Sequence, residues 1–271
     1  MQTSPATTNA TRLRHASGSH VILALAGVCF AAMSVLTVLA EMPAAGRPAD
    51  DDAQLAKSLA TMLRASRTVI SRNQDRINNP NVANKGIDGK LVLAEATKIY
   101  QQSTETDPTT IDPQSLHGKL IRMQMDSIAE VIDVHQETIN RQGVGFKGFI
   151  PAVFGRLVNE AFGRRAVGIA DMKVTAPPQL IRNPKVRPDG WELEATTTRL
   201  MSPTWPKDQS YTATATKNGV AAERTLFPEY YGSSCLSCHG SPKGEIDITG
   251  FPKEGATEGD LGGIISITLY R

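Results

Sequence analysis

Apolar side chains recur at three- and four-residue steps through much of the first half of the chain, which is typical of amphipathic helices. This spacing predicts a long helix from about Asp50 to Ile77 and a second helix from Lys90 to Tyr100. A third helix is predicted from Asp112-Pro113 to about Asn140, and Pro151 opens a shorter one that continues to Arg165. We therefore expect an N-terminal layer of helices.

The pattern changes to strand-like runs after residue 165. The stretch AVGIADMKVTA (166–176) resembles a strand, and an Asn218-Gly219 turn separates two further runs, which is a strong signal for a hairpin. The last residues, GDLGGIISITLYR (259–271), predict a final strand. The predicted fold class is α+β, with the helical layer followed by a mostly antiparallel sheet.

The N-terminal segment does not resemble part of a globular domain. Residues 21–40 carry no charge over twenty positions, which is long enough for a helix to cross a bilayer. Arg12 and Arg14 precede this run and acidic residues follow it, so the basic side should stay in the cytoplasm. We predict a cytoplasmic tail (1–20), an anchor in the cytoplasmic membrane (21–40), a spacer (41–54) and a domain facing the periplasm (55–271). Cleavage after Val38-Leu39-Ala40, which would release the domain into the periplasm, is the alternative.

Composition and charge exclude few functions. The formal net charge of +2 gives no reason to expect nucleic acid as a partner. The chain has no evident nucleophilic triad and no glycine-rich phosphate loop, and its acidic residues show no spacing that marks an acid–base pair. We therefore do not predict an enzyme. Of the three cysteines, Cys29 lies in the apolar run, which leaves two thiols in the exported part.

Those two thiols belong to a C-x-x-C-H motif formed by Cys235, Cys238 and His239. In an exported chain this motif is typical of c-type haem attachment. The cysteines form thioethers with the two haem vinyl groups, and the adjacent imidazole ligates the iron. The motif and the apolar segment are independent signals, and both predict one covalently bound haem c on the periplasmic side.

Three other interpretations of the motif remain open. A zinc site could use the same side chains, but zinc usually requires four ligands and no second ligand pair is evident. A disulfide between Cys235 and Cys238 would close only a very small loop and stabilise the fold little. A thioredoxin-like C-x-x-C should begin a helix in a βαβ unit, whereas this motif lies among glycine, serine and proline.

Several residues are candidates for further contacts with haem. His135 lies beside the inward positions Ile132 and Ile139 of the third predicted helix and is the candidate sixth iron ligand, although an open position is an equal alternative. Arg182, Lys185 and Arg187 form a basic cluster that could pair with the haem propionates. Weaker candidates for the sixth ligand are one more histidine and several methionines: His117, Met62, Met123, Met125, Met172 and Met201.

Four segments of the chain resemble a bacterial family of c-type haem domains. They are GFKGFIPAVFGRLVNEAF (145–162), KVTAPPQLIRNPKVRPDGWE (173–192), FPEYYGSSCLSCHG (227–240) and DITGFPKEGATEGDLGGIISI (247–267). The resemblance implies a PAS-like fold that occurs as the extracytoplasmic sensor module of signalling proteins and as stand-alone proteins. It also implies that Cys235 and Cys238 attach the haem and that His239 is the proximal ligand. Some members supply a cysteine ligand from an N-terminal helix, and this chain has none there.

The sequence therefore predicts a membrane-anchored periplasmic monohaem c-type protein that senses redox state or a small gas such as NO, CO or O2. A conformational change would pass to a signalling or redox partner protein. One alternative is an electron-transfer cytochrome with a six-coordinate iron. The other is a haem-free binding module whose cysteines form a disulfide or half of a zinc site.

Overall fold

The computed structural model describes residues 49–271, and its first half is helical. Six helices precede the sheet: α1 (Ala49–Arg72), α2 (Gln74–Ile77), α3 (Gly89–Thr104), α4 (Leu116–Val134), α5 (Gln136–Asn140) and α6 (Pro151–Arg165). Within residues 49–271, no helix has both the length and the hydropathy to cross a membrane. The predicted tail 1–20 and anchor 21–40 lie outside the described residues.

Local signals fix where the helices begin and end. The side chain of Asp88 accepts a hydrogen bond from the backbone N–H of Leu91 at the start of α3, and Ser115 caps α4 by accepting from Gly118. The third predicted helix therefore begins after Ser115 rather than at Asp112-Pro113. Helix α1 begins at Ala49, close to the predicted start at Asp50, and its first residues are mostly acidic or small, which suits a helix start. Residues 49–54 of the predicted spacer are therefore helical.

Four strands form one antiparallel sheet: β1 (Ala170–Thr175), β2 (Tyr211–Lys217), β3 (Val220–Tyr230) and β4 (Leu261–Tyr270). Their order is β1-β4-β3-β2, so the last strand lies in the middle of the sheet. The predicted hairpin joins β2 to β3, and both turn residues have positive φ, 52° at Asn218 and 81° at Gly219. The predicted α+β class with a helical layer and an antiparallel sheet is confirmed.

The two faces of the sheet bury different side chains. One face packs on the helical layer and places Phe227, Ile265 and Ile267 in the same core as α1 and α6. The other face buries Leu226 and Ile264 beneath a short helix, α7 (Gly190–Ala195). This alternation follows from the period of two along a strand. The sheet is thus covered on both faces. The loop that joins β3 to β4 lies at one end of these two strands.

Candidate haem-attachment site

The C-x-x-C-H motif lies in the loop that joins the two central strands. After β3 the chain stays paired for one more residue, since the backbone of Tyr231 donates to Asp260 O at 2.9 Å and accepts from Gly259 N at 2.8 Å. A one-turn helix, α8 (Leu236–His239), then carries the second half of the motif. Both ends of this loop, residues 231–260, are therefore fixed to the most central part of the sheet.

His239 is held by contacts to one of its two ring nitrogens. Its Nδ1 lies 2.8 Å from Glu254 Oε2 and 3.3 Å from the Tyr231 hydroxyl. The Tyr231 ring stacks on the imidazole, with centroids 4.8 Å apart and an interplanar angle of 24°. Because a carboxylate can only accept, the proton of a neutral His239 belongs on Nδ1, which leaves Nε2 as the nitrogen available to a metal.

Arg182 joins the motif to the rest of the loop. Its Nε and Nη2 donate to the two oxygens of Glu254 at 2.9 and 3.0 Å, and its Nη1 donates to Asp247 at 2.6 Å. Further bonds reach the carbonyl of Cys238 at 2.9 Å and the Thr249 hydroxyl at 3.3 Å. All five N–H donors of the guanidinium thus have protein acceptors, and the contact of this residue with a haem propionate stays a prediction.

The carboxylates of this network stay ionised because of their hydrogen bonds. Burial alone would raise the pKa of Glu254, but hydrogen bonds from Arg182 and His239 bring that pKa below its ordinary value. Burial opposes ionisation of Asp247 too, yet hydrogen bonds from Thr249 and Arg182 hold its pKa far below the ordinary value. Burial and the charge of Glu254 raise the pKa of Tyr231 to about 12, so its hydroxyl stays protonated.

Cys235 and Cys238 are free thiols and are half-buried. Both lie at the turn of α8, with the carbonyl of Cys238 fixed by Arg182. The disulfide that the sequence left open is not formed. Within residues 49–271, no three side chains of His, Cys, Asp or Glu converge as a metal site would require.

The loop also exposes apolar side chains next to the motif. Ile246, Ile248 and Phe251 are 63%, 65% and 41% exposed. They lie in the segment that Arg182 ties to Cys238 through its bonds to Asp247. Large apolar groups exposed together mark surfaces that another apolar group covers.

The other predicted contacts lie elsewhere or face solvent. Lys185 and Arg187 are exposed, and Lys185 lines a cavity of about 620 Å³ between α6 and β1 rather than the motif loop. His135 ends α4, where its Nδ1 lies 2.7 Å from Val131 O and its ring packs on Phe149 at 5.5 Å. The structure thus brings only Arg182, of the predicted accessory residues, to the motif.

Sequence reasoning missed Glu254, Asp247 and Tyr231. Asp247 and Glu254 are two of many acidic residues in the chain. They lie 8 and 15 residues after His239, and no spacing relates them to the motif. The available signal was position, because all three residues fall in segments on which the family resemblance rests.

Comparison with known proteins decides the family. The family model described as Tll0287-like matches residues 47–269, which is most of the chain. This chain belongs to the Tll0287-like family. The family is one of c-type haem domains, so a c-type cytochrome-like domain and haem c as its cofactor class agree with the sequence prediction. No curated protein and no solved structure matches the chain. The PAS-like character and the sensor role stay predictions.

Proposed function

We propose that this Tll0287-like protein is a monohaem c-type protein that senses redox state or a small gas at the periplasmic face of the cytoplasmic membrane. Cys235 and Cys238 attach the haem, and His239 ligates the iron through Nε2. The observation that carries the proposal is the contact between His239 Nδ1 and Glu254, because metal-ligating histidines almost always donate the other ring N–H to a fixed acceptor.

The residues present fit haem c in three respects. Two free thiols are spaced for two thioether bonds, the imidazole has one nitrogen left, and Ile246, Ile248 and Phe251 offer apolar surface to a porphyrin. When bound, haem c supplies an iron that exchanges one electron and can bind a small gas at an open coordination position. The chain itself positions the imidazole and fixes the proton on its other nitrogen.

Sensing is favoured over pure electron transfer by where four of the candidate sixth ligands lie. His135 is engaged by Val131 and Phe149 in the helical layer. Met62 and Met172 are buried in the main core, and Met201 is 45% exposed. An open or displaceable sixth position suits gas binding, whereas electron-transfer cytochromes use two tight protein ligands.

An ionic link between the end of β3 and α1 supports transmission from the motif to the N-terminal helix. Arg64 Nε and Arg67 Nη1 of α1 contact the two oxygens of Glu229 at 2.6 and 2.7 Å. Glu229 lies near the end of β3, six residues before Cys235. A shift of the motif loop would therefore act on α1, the element that leads toward the predicted anchor. The partner that responds is a protein in or at that membrane.

The proposal is tested on the full chain produced in cells that assemble c-type cytochromes. We expect a haem band that persists after denaturation with acidified organic solvent, since thioether bonds hold the cofactor. CO should shift the reduced spectrum if the sixth position is open. Replacing both cysteines by serine should abolish the covalent band, whereas Ser234→Ala, a neighbouring control, should not.

Each outcome separates the candidate functions. A reduced low-spin spectrum that CO leaves unchanged would favour the electron-transfer alternative. Complete absence of haem from the exported chain would refute the proposal and return the cysteines to a haem-free role.

A further inference from the structure

The acidic partner of His239 has a consequence for the electronic character of the proposed iron site. We infer that Glu254, held in place by Arg182, is a positioning residue that increases electron donation by the His239 imidazole and so gives the site a low reduction potential. This inference rests on the proposed function.

Contacts within the protein fix the position of Glu254. Arg182 contacts both of its carboxylate oxygens, a two-point arrangement that sets the plane of the carboxylate as well as its position. The main chain that follows Glu254 is also joined to that of His239 and Gly240, since Ala256 N donates to His239 O at 2.8 Å and Gly255 N donates to Gly240 O at 3.1 Å. Glu254 and His239 are thus held together by side chains and backbone alike.

The sign of the effect follows from the charges. A carboxylate that accepts the Nδ1–H bond draws the proton toward itself and makes the imidazole a stronger donor, which favours the more highly charged, oxidised iron. Arg182 opposes this with one positive charge, but it is shared between Glu254 and Asp247. One cation facing two anions leaves the network negative, so the net effect on the potential is downward.

The test compares midpoint potentials of the haem-loaded full chain for wild type and Glu254→Gln. The amide can still accept the hydrogen bond but carries no charge. We expect the equilibrium between reduced and oxidised iron to shift at least tenfold toward the reduced form, which is a rise of about 59 mV for one electron. Glu254→Asp retains the charge and should restore most of the wild-type potential. A Glu254→Gln potential equal to that of wild type would overturn the inference.

The matched control is Glu245→Gln, a carboxylate of the same loop. Glu245 is exposed, and within residues 49–271 its ion pair is with Lys253, at 3.0 Å. Its neutralisation should leave the potential unchanged. An equal rise in both variants would mean that any negative charge of the loop has the same effect, and it would also overturn the specific role of Glu254.

A second measurement needs no haem and separates this inference from the proposed function. In the haem-free full chain, nitrogen–proton correlation spectra at a pH where His239 is neutral should place its proton on Nδ1, and Glu254→Ala should move a large share of it to Nε2. A wild-type proton on Nε2 would refute the positioning role even if haem is present. Failure of the chain to bind haem would refute the proposed function and leave this measurement standing.

Discussion

Removing the guanidinium of Arg182 should destabilise the folded chain strongly. Arg182→Met keeps most of the aliphatic bulk but deletes every hydrogen bond to Glu254, Asp247 and Cys238 O. The side chain of Asp247 has no exposed surface, so its charge would be left buried without a counter-ion. Breaking such a pair costs about 3–5 kcal/mol of unfolding free energy. We expect about 3 kcal/mol, because Thr249 and the Phe251 N–H continue to solvate that carboxylate.

The assay is urea unfolding of the haem-free full chain in a mild detergent, followed by circular dichroism. Arg187→Met is the matched control, since Arg187 is exposed in the same segment. Its hydrogen bonds within residues 49–271 use the backbone, which donates to Pro184 O and accepts from Lys173. The control should stay within about 0.5 kcal/mol of wild type. A loss below about 1 kcal/mol for Arg182→Met would refute the reasoning.

A double variant shows whether the loss comes from the buried charge of Asp247. Asp247→Asn removes that charge, so adding it to Arg182→Met should cost less than the sum of the two single changes. Groups that share a hydrogen-bond network commonly show coupling of about 0.5–3 kcal/mol. Additive single effects would instead mean that Arg182 acts through Glu254 and the Cys238 carbonyl alone.

Three further predictions concern the same loop. The pKa of Asp247 in the folded chain lies below its ordinary 3.8, so the ionised carboxylate should stabilise the fold above about pH 4, and this stabilisation should be lost as the pH falls through the folded pKa. Asp247→Asn should therefore lower the unfolding free energy near neutral pH and make it depend less on pH in acid, as measured by unfolding at several pH values. Gly262→Ala should cost about 1–3 kcal/mol in urea unfolding, because its Cβ would overlap the Tyr231 ring, whereas Gly190→Ala, with open space around it, should not destabilise. A thiol reagent should label both Cys235 and Cys238 in the haem-free folded chain, and protection of either thiol would contradict their half-exposed, unpaired state.

Periodic patterns predicted much of the fold, and local capping accounts for the differences. The apolar spacing located the helical layer, and Asn218-Gly219 located the hairpin between β2 and β3. Helix α7 was missed because the four prolines at positions 177, 178, 184 and 188 favour extended chain before it, although Asp189 and Glu192 form a capping box at its start. The predicted helix that ends at Asn140 is interrupted at His135. There the imidazole Nδ1 contacts the carbonyl of Val131, and the backbone N–H of His135 bonds the carbonyl of Ile132 instead.

The candidate site divides in the same way between local and long-range information. The spacing of Cys235, Cys238 and His239 is local, so the sequence alone is enough to predict covalent haem attachment. The acceptor for His239 comes from residue 254, and the residue that orients this acceptor comes from position 182, on the other side of two strands. Contacts over such a separation depend on the path of the loop between β3 and β4, and they leave no periodic pattern in the sequence. This is why the sequence could mark Arg182 as a candidate residue of the site but not Glu254 and Asp247, the carboxylates of the chain that Arg182 contacts. Glu254 in turn contacts the imidazole of His239.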